Sequence, residues 1–82
     1  MPTVLRIDGL RVVIYTNDHR PAHVHVIGPT GEAVFFLNCP AGPPELRECY
    51  GFRRAEIGRI QAAVADVLAT LCDEWNKLHG YD

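Results

Sequence analysis

Alternating hydrophobic and polar residues open the chain, and the alternation is broken by a short turn. The break is Asp8-Gly9, which separates residues 4–7 from residues 10–15. An Asp-Gly pair between β-rich segments favours a two-residue hairpin, because the type I′ turn needs residues that tolerate positive φ. Pairing Ile7 with Leu10 fixes which side chains share a face. The predicted core face then contains Leu5, Ile7, Leu10, Val12 and Ile14. The opposite face then carries Arg6, Arg11, Val13 and Tyr15.

A second alternating pattern predicts another hairpin, with strands over residues 23–27 and 32–37 joined by a turn at residues 28–31. Pairing Ile27 with Glu32 fixes which side chains share a face, since side chains alternate along a strand. The uniformly apolar face, predicted to be the core face, contains Val24, Val26, Ala33, Phe35 and Leu37. The less buried face should carry His23, His25, Glu32, Val34 and Phe36.

Hydrophobic residues recur at three- and four-residue spacing between residues 54 and 78, which predicts one long amphipathic helix. The 82 residues are therefore expected to form a single α+β domain over residues 1–82. Its architecture should be a four-stranded, mainly antiparallel sheet packed on one long C-terminal helix. Residues 45–50 fit either a helical turn or a short edge strand. A helix of this length exceeds a typical strand, so its end near Trp75 is a candidate homodimer contact.

Composition and charge narrow the functional classes. The chain is 48% hydrophobic with a net charge of −2, which disfavours broad electrostatic binding of nucleic acid but allows a local basic site. Cys39, Cys49 and Cys72 are scattered and odd in number, so we expect reduced thiols that serve as small packing residues in a cytoplasmic protein. No segment has the length and hydrophobicity of a membrane span or a signal peptide.

Three of the four histidines, His19, His23 and His25, fall within seven residues. Two imidazoles can hold one proton donor and one acceptor near neutral pH, which suits cleavage of RNA through its own 2′-hydroxyl. On this interpretation the three histidines are catalytic and no cofactor is needed. Candidate residues for binding the phosphate or the bases are Arg6, Arg11, Tyr15 and Arg20.

Other interpretations of the histidine cluster stay open. Zinc or another transition metal would accept three histidines and the facing carboxylate, that is His19, His23, His25 and Glu32. Such a site would make the protein a metal-dependent hydrolase. The histidines could instead be packing residues of the strand and turn, or part of a surface that binds a partner without catalysis.

The chain resembles the small bacterial domain-of-unknown-function family 4160 in segments spread over nearly its whole length. The matching segments are residues 1–6, 15–19, 21–26, 32–33, 50–52 and 74–76. The resemblance implies the toxin component of a type II toxin–antitoxin module, with histidines important for toxicity. It also implies a cognate antitoxin partner of the family 2442 type. One departure is Arg53, where the family often has a serine that would cap the helix.

Overall fold

The computed structural model describes residues 3–80 and has seven elements. The strands are β1 (Thr3–Ile7), β2 (Leu10–Val13), β3 (His23–Ile27), β4 (Glu32–Phe36) and β5 (Glu45–Tyr50). The helices are α1 (Arg54–Asp66) and α2 (Leu68–His79). The α+β class is therefore right, but the predicted count of four strands and one helix is wrong. Met1 and Pro2, which begin the segments of the resemblance, lie outside the described residues, as do Tyr81 and Asp82.

The strands form one antiparallel sheet in the order β1-β2-β3-β4-β5, so each strand pairs with its neighbours in sequence. In the first hairpin Ile7 pairs with Leu10 and Arg6 with Arg11, as the Asp-Gly turn predicted. Asp8 and Gly9 both have positive φ, at 48° and 80°. This backbone geometry is the reason why a hairpin of two residues needs such a pair.

The second hairpin also has the predicted register, with Ile27 opposite Glu32 and His25 opposite Val34. The predicted core residues Val24, Val26, Ala33, Phe35 and Leu37 are all 0% exposed. They form one cluster with Ile60, Val64, Leu71 and Trp75 from the two helices. Burial of this apolar face supplies most of the driving force for folding, because apolar area removed from water is the dominant favourable term.

Residues 45–50 form the fifth strand, which pairs with β4 across a bulge between Val34 and Phe35. All six of its residues are exposed. A strand at the sheet edge whose two faces are both exposed to solvent has no uniformly apolar side. The pattern of hydrophobic residues therefore could not distinguish this strand from a helical turn. Leu46 and Tyr50, the large hydrophobic residues of β5, remain 40% and 66% exposed.

The predicted long helix is broken at Val67, whose φ of −114° and ψ of 21° lie outside the helical region. The Val67 N–H bonds to the carbonyl of Val64, and the Leu71 N–H then bonds to the carbonyl of Val67 at 3.0 Å. A continuous helix over residues 54–78 would be about 38 Å long, whereas the longest extent of the molecule is 35 Å. The break lets both helices stay on the sheet. Neither helix is long and apolar enough to cross a membrane.

Trp75, predicted to approach a second chain, is instead buried within this one. It is 3% exposed, and its ring lies 5.4 Å from the ring of His23. A homodimer through the C-terminal helix stays a prediction, but its contact would have to use other residues. At the start of α1, Glu56 accepts the Arg53 N–H at 2.8 Å, so the glutamate half of the capping arrangement is present without a serine.

The connection from β4 to β5 packs on the helices and is tied to α2 by a disulfide bond. Cys39 and Cys72 are bonded, with Cα atoms 5.8 Å apart. The expectation that both serve as reduced packing thiols is therefore wrong, because the fold brings together residues that are 33 positions apart. Cys49 is free and exposed. The Gln61 side-chain amide also holds this connection by donating to the Pro44 carbonyl at 2.8 Å.

Candidate functional site

Asp18 anchors the turn that precedes β3. Its carboxylate Oδ2 accepts the backbone N–H of Tyr15 at 3.0 Å. Its own backbone N–H donates to the Tyr15 carbonyl at 3.1 Å. An aspartate that accepts a backbone N–H three residues earlier stabilises a tight turn. The turn also directs the carboxylate towards the two strand histidines, and the Asp18 side chain is only 13% exposed.

His23, the first residue of β3, is almost fully buried at 6% exposure. Its Nδ1 lies 2.8 Å from the Pro21 carbonyl, which can only accept a hydrogen bond. The proton therefore sits on Nδ1. In the neutral ring this leaves a lone pair on Nε2, the atom that lies 3.6 Å from Asp18 Oδ2.

His25, two residues further along the same face, lies between two carboxylates. Its Nδ1 is 3.0 Å from Glu32 Oε2, and its Nε2 is 3.3 Å from Asp18 Oδ2. The Nε2 atom is buried and has no partner of hydrogen-bond geometry among the residues that the structure describes. Buried polar atoms normally find a partner. His25 Nε2 is therefore the atom of the cluster that the described residues leave without a hydrogen bond.

The three side chains converge on one point. One ring nitrogen of His23, one of His25 and an Asp18 carboxylate oxygen all lie within 4.8 Å of one another. The two imidazole centroids are 5.3 Å apart. Such an arrangement can share a proton or hold a cation, because two nitrogen lone pairs and an anionic oxygen face the same volume.

Ring contacts continue from the histidines in both directions. The Tyr15 ring meets His25 edge-on at 4.9 Å, and His23 contacts Trp75 on α2. Trp75 in turn lies 4.1 Å from the ring of His79. Helix α2 therefore contacts the imidazole of His23 through the ring of Trp75. The histidine face is more enclosed than predicted, since Val13 and Val34 on it are 0% and 4% exposed.

An open cleft of about 380 Å³ lies in front of the histidines. Its walls are Asn17, Asp18, His19, Arg20, Pro21, His23, His25, Phe36 and Arg47. The Arg47 guanidinium lies 5.8 Å from the centre of the Phe36 ring. The cleft thus combines two arginines, an aromatic ring and the histidine pair, a set suited to an anion that carries an aromatic group.

The residues predicted from sequence are brought together only in part. His23, His25, His19 and Arg20 all line the cleft, although His19 is exposed and is not one of the converging atoms. Glu32 lies on the other side of the His25 ring. Tyr15 touches His25. Arg6 and Arg11 pair with each other across the first hairpin and do not line the cleft.

Two site residues were not predicted from the sequence. Asp18 lies in a polar turn, and its position five and seven residues before two histidines is the sequence signal that points to it. Arg47 lies on β5, an element the hydrophobic pattern left ambiguous, so its face could not be assigned. Both were missed because their position depends on how separate segments pack.

Comparison with known proteins identifies one family. The model of the family described as Domain of unknown function (DUF4160) matches residues 9–76. This range includes the whole cleft and most of both helices. No curated protein and no solved structure matches the chain.

Proposed function

Because the chain belongs to the DUF4160 family of domains of unknown function, we propose that it is the toxin component of a type II toxin–antitoxin module and that it cleaves RNA. The cleft in front of His23 and His25 is the proposed site of cleavage. The observation that carries the proposal is the placement of this histidine pair beside Arg20 and Arg47. An imidazole pair next to cations is what cleavage of a phosphodiester requires.

The charges and rings of the cleft fit a single strand of RNA. A guanidinium can form two parallel hydrogen bonds to a phosphate, and Arg20 and Arg47 lie on the walls of the cleft. Phe36, beneath Arg47, offers a ring on which an unstacked base can lie. This local basic surface is compatible with the net charge of −2, because binding at one cleft does not need a basic domain.

In the proposed reaction, the 2′-oxygen of the RNA attacks the adjacent phosphorus while a base removes its proton. The bond from phosphorus to the 5′-oxygen breaks, and an acid returns a proton to that leaving oxygen. The products are a 2′,3′-cyclic phosphate and a 5′-hydroxyl. His23 and His25 are the proposed proton carriers, and the Pro21 carbonyl and Glu32 hold their rings by Nδ1.

The proposal includes a cognate antitoxin of the family 2442 type and a cytoplasmic location. In that compartment the protein would encounter both RNA and the antitoxin. The disulfide between Cys39 and Cys72 is unusual for that compartment, because cytoplasmic thiols are kept reduced. In the cytoplasm we therefore expect the reduced form of the protein to be the active one. His23, His25 and their partners do not involve either cysteine.

The test compares growth and RNA integrity after induced expression of the wild type, His23→Ala and His25→Ala. The wild type should stop growth and degrade RNA, and both variants should relieve these effects while remaining soluble. Lys77→Ala is the matched control, since Lys77 is exposed on α2, forms ion pairs with Asp73 and Glu74 and does not line the cleft. Normal growth and intact RNA in cells that hold abundant soluble wild-type protein would refute the proposal.

A non-enzymatic binding module is the second candidate, and the exposed edge of the sheet favours it. All of β5 is exposed, and Tyr50 and Leu46 are large hydrophobic residues on that edge. Edge strands accept a further strand from a partner through backbone hydrogen bonds. On this hypothesis the neighbouring gene product co-purifies with the wild type and with His25→Ala equally. Cys49 lies in β5 opposite Ala33. Replacing Cys49 by proline removes a backbone N–H donor from this edge strand and should then weaken binding of the partner.

A further inference from the structure

The hydrogen bonds at Nδ1 of both strand histidines determine what their Nε2 atoms can do. His23 donates from Nδ1 to the Pro21 carbonyl, and His25 does so to Glu32. With the protons placed there, each neutral ring turns a lone pair towards Asp18. Metal-binding histidines commonly have this arrangement, in which the second ring nitrogen donates to a carbonyl or carboxylate and fixes the orientation of the ring.

We propose that Asp18, His23 and His25 bind one divalent transition-metal ion through Oδ2 and the two Nε2 atoms. Two imidazole nitrogens and one carboxylate oxygen are donors that suit zinc, manganese, iron(II), cobalt and nickel. This set differs from the one predicted from sequence, because Asp18 replaces His19, and Glu32 orients a ligand without being one. The ion-binding hypothesis does not require RNA as the substrate, and it is an alternative to proton transfer by His23 and His25, because an ion would occupy the Nε2 lone pairs that such transfer uses.

The distances from Asp18 to the two histidine nitrogens are close to those expected for a shared ion. Donors at ordinary metal–ligand distances are separated by about 2.9 to 3.4 Å in octahedral or tetrahedral geometry. His25 Nε2 lies 3.3 Å from Asp18 Oδ2, and His23 Nε2 lies 3.6 Å from it. The three donors lie within 4.8 Å of one another, so binding would draw the two histidine nitrogens together by up to about 1.4 Å through rotation of the side chains.

The buried Nε2 of His25 is the independent sign of a ligand. Within residues 3–80 this atom has no hydrogen-bond partner, and the side chain of His25 is 16% exposed. An ion at this point would satisfy that nitrogen and neutralise part of the charge of Asp18 and Glu32. Because three protein atoms converge among residues 3–80, at least one coordination position would remain for water or a substrate oxygen at the cleft.

The experiment measures metal content and binding in untagged full-length protein, so that no engineered histidines compete. A Cys49→Ser background removes the free exposed thiol, which binds zinc in its own right. After treatment with a chelator, calorimetry with Zn²⁺ and visible absorption with Co²⁺ should each give one ion per chain. The cobalt spectrum should lack a thiolate band.

Two ligand variants and one variant of an orienting residue test the site. Asp18→Asn and His25→Asn should each weaken Zn²⁺ binding by more than about 100-fold, because each loses an ion ligand. Glu32→Gln should weaken it by only about 10-fold, since the amide oxygen still accepts from His25 Nδ1. His79→Asn is the histidine control and should bind as the wild type does. Circular dichroism establishes that each variant is folded.

A folded wild type that takes up no stoichiometric ion would overturn the metal proposal, as would unchanged binding in both Asp18→Asn and His25→Asn. Should Asp18→Asn fail to fold, His25→Asn carries the same decision. These results are separable from the toxin test. Metal binding with normal growth refutes the toxin alone, and growth arrest with no ion refutes the metal alone.

Discussion

The Asp18 carboxylate lies 3.3 Å from Nε2 of His25, although the two residues belong to different segments of the chain. The same oxygen accepts the Tyr15 N–H, so one atom holds both the turn and the site. This double role connects the stability of the turn before β3 to the chemistry of the histidine pair. It also means that variants of Asp18 must be chosen to separate the two.

Asp18→Ala should lower the free energy of unfolding by about 1–2 kcal/mol, because the part-buried Tyr15 N–H loses its acceptor. Asp18→Asn keeps an oxygen there and should cost much less. Urea denaturation followed by circular dichroism measures both. Equal losses for the two variants would show that the charge, and not the hydrogen bond, stabilises the turn.

Phe35 and Phe36 are neighbours on opposite faces of β4 and should respond differently to truncation. Phe35 is 0% exposed in the core, so Phe35→Ala should cost about 3–5 kcal/mol of stability. Phe36 is partly exposed on the cleft wall, so Phe36→Ala should cost less while reducing toxicity. Denaturation and growth assays on the same pair test this. A core-sized loss of stability in Phe36→Ala would contradict the assignment of faces.

Two glycines give opposite predictions for replacement by alanine. Gly58 is exposed within α1 and has open space around it, so Gly58→Ala should stabilise the protein by about 0.5–1 kcal/mol. Gly51 has a φ of +77°, and a Cβ there would collide with the Thr30 carbonyl. Gly51→Ala should therefore destabilise by more than about 1 kcal/mol. Thermal melts of the two variants should shift in opposite directions.

Removal of the disulfide should have a measurable effect on the oxidised protein. Cys39 and Cys72 close a loop of 33 positions, so Cys39→Ser should cost about 3–4 kcal/mol from the larger entropy of the unfolded chain. The loss should vanish when wild type and variant are compared in a reducing agent. A difference that persists under reduction would mean that the serine perturbs packing directly.

Arg47 should contribute to RNA binding through charge. Arg47→Gln should weaken binding of a single-stranded RNA and lower the dependence of affinity on salt, since one phosphate contact is lost. Arg54→Gln is the matched control, because Arg54 is exposed at the start of α1 and does not line the cleft. Fluorescence anisotropy at several salt concentrations measures both slopes. Equal effects of the two variants would exclude a specific contribution of the cleft.

The sequence alone determined the two hairpins and the faces of their strands. The Asp8-Gly9 turn fixed the register of the first, and pairing of Ile27 with Glu32 fixed that of the second. These features are local, because side chains alternate with a period of two and a one-residue slip would expose the whole apolar set. His23 and His25 were therefore correctly placed together, on the face opposite Val24.

Only the tertiary structure decided the remaining features. The helix is interrupted at a valine, Val67, and not at a glycine or proline. Packing on a sheet of limited length therefore determines where the break lies. The Cys39–Cys72 bond and the position of Arg47 likewise depend on distant segments. Asp18 became a site residue because a turn folds back onto a strand. The periodicity of hydrophobic residues indicates which face of a helix or strand is buried. Which side chains from distant segments meet at a site depends on how those segments pack together in three dimensions.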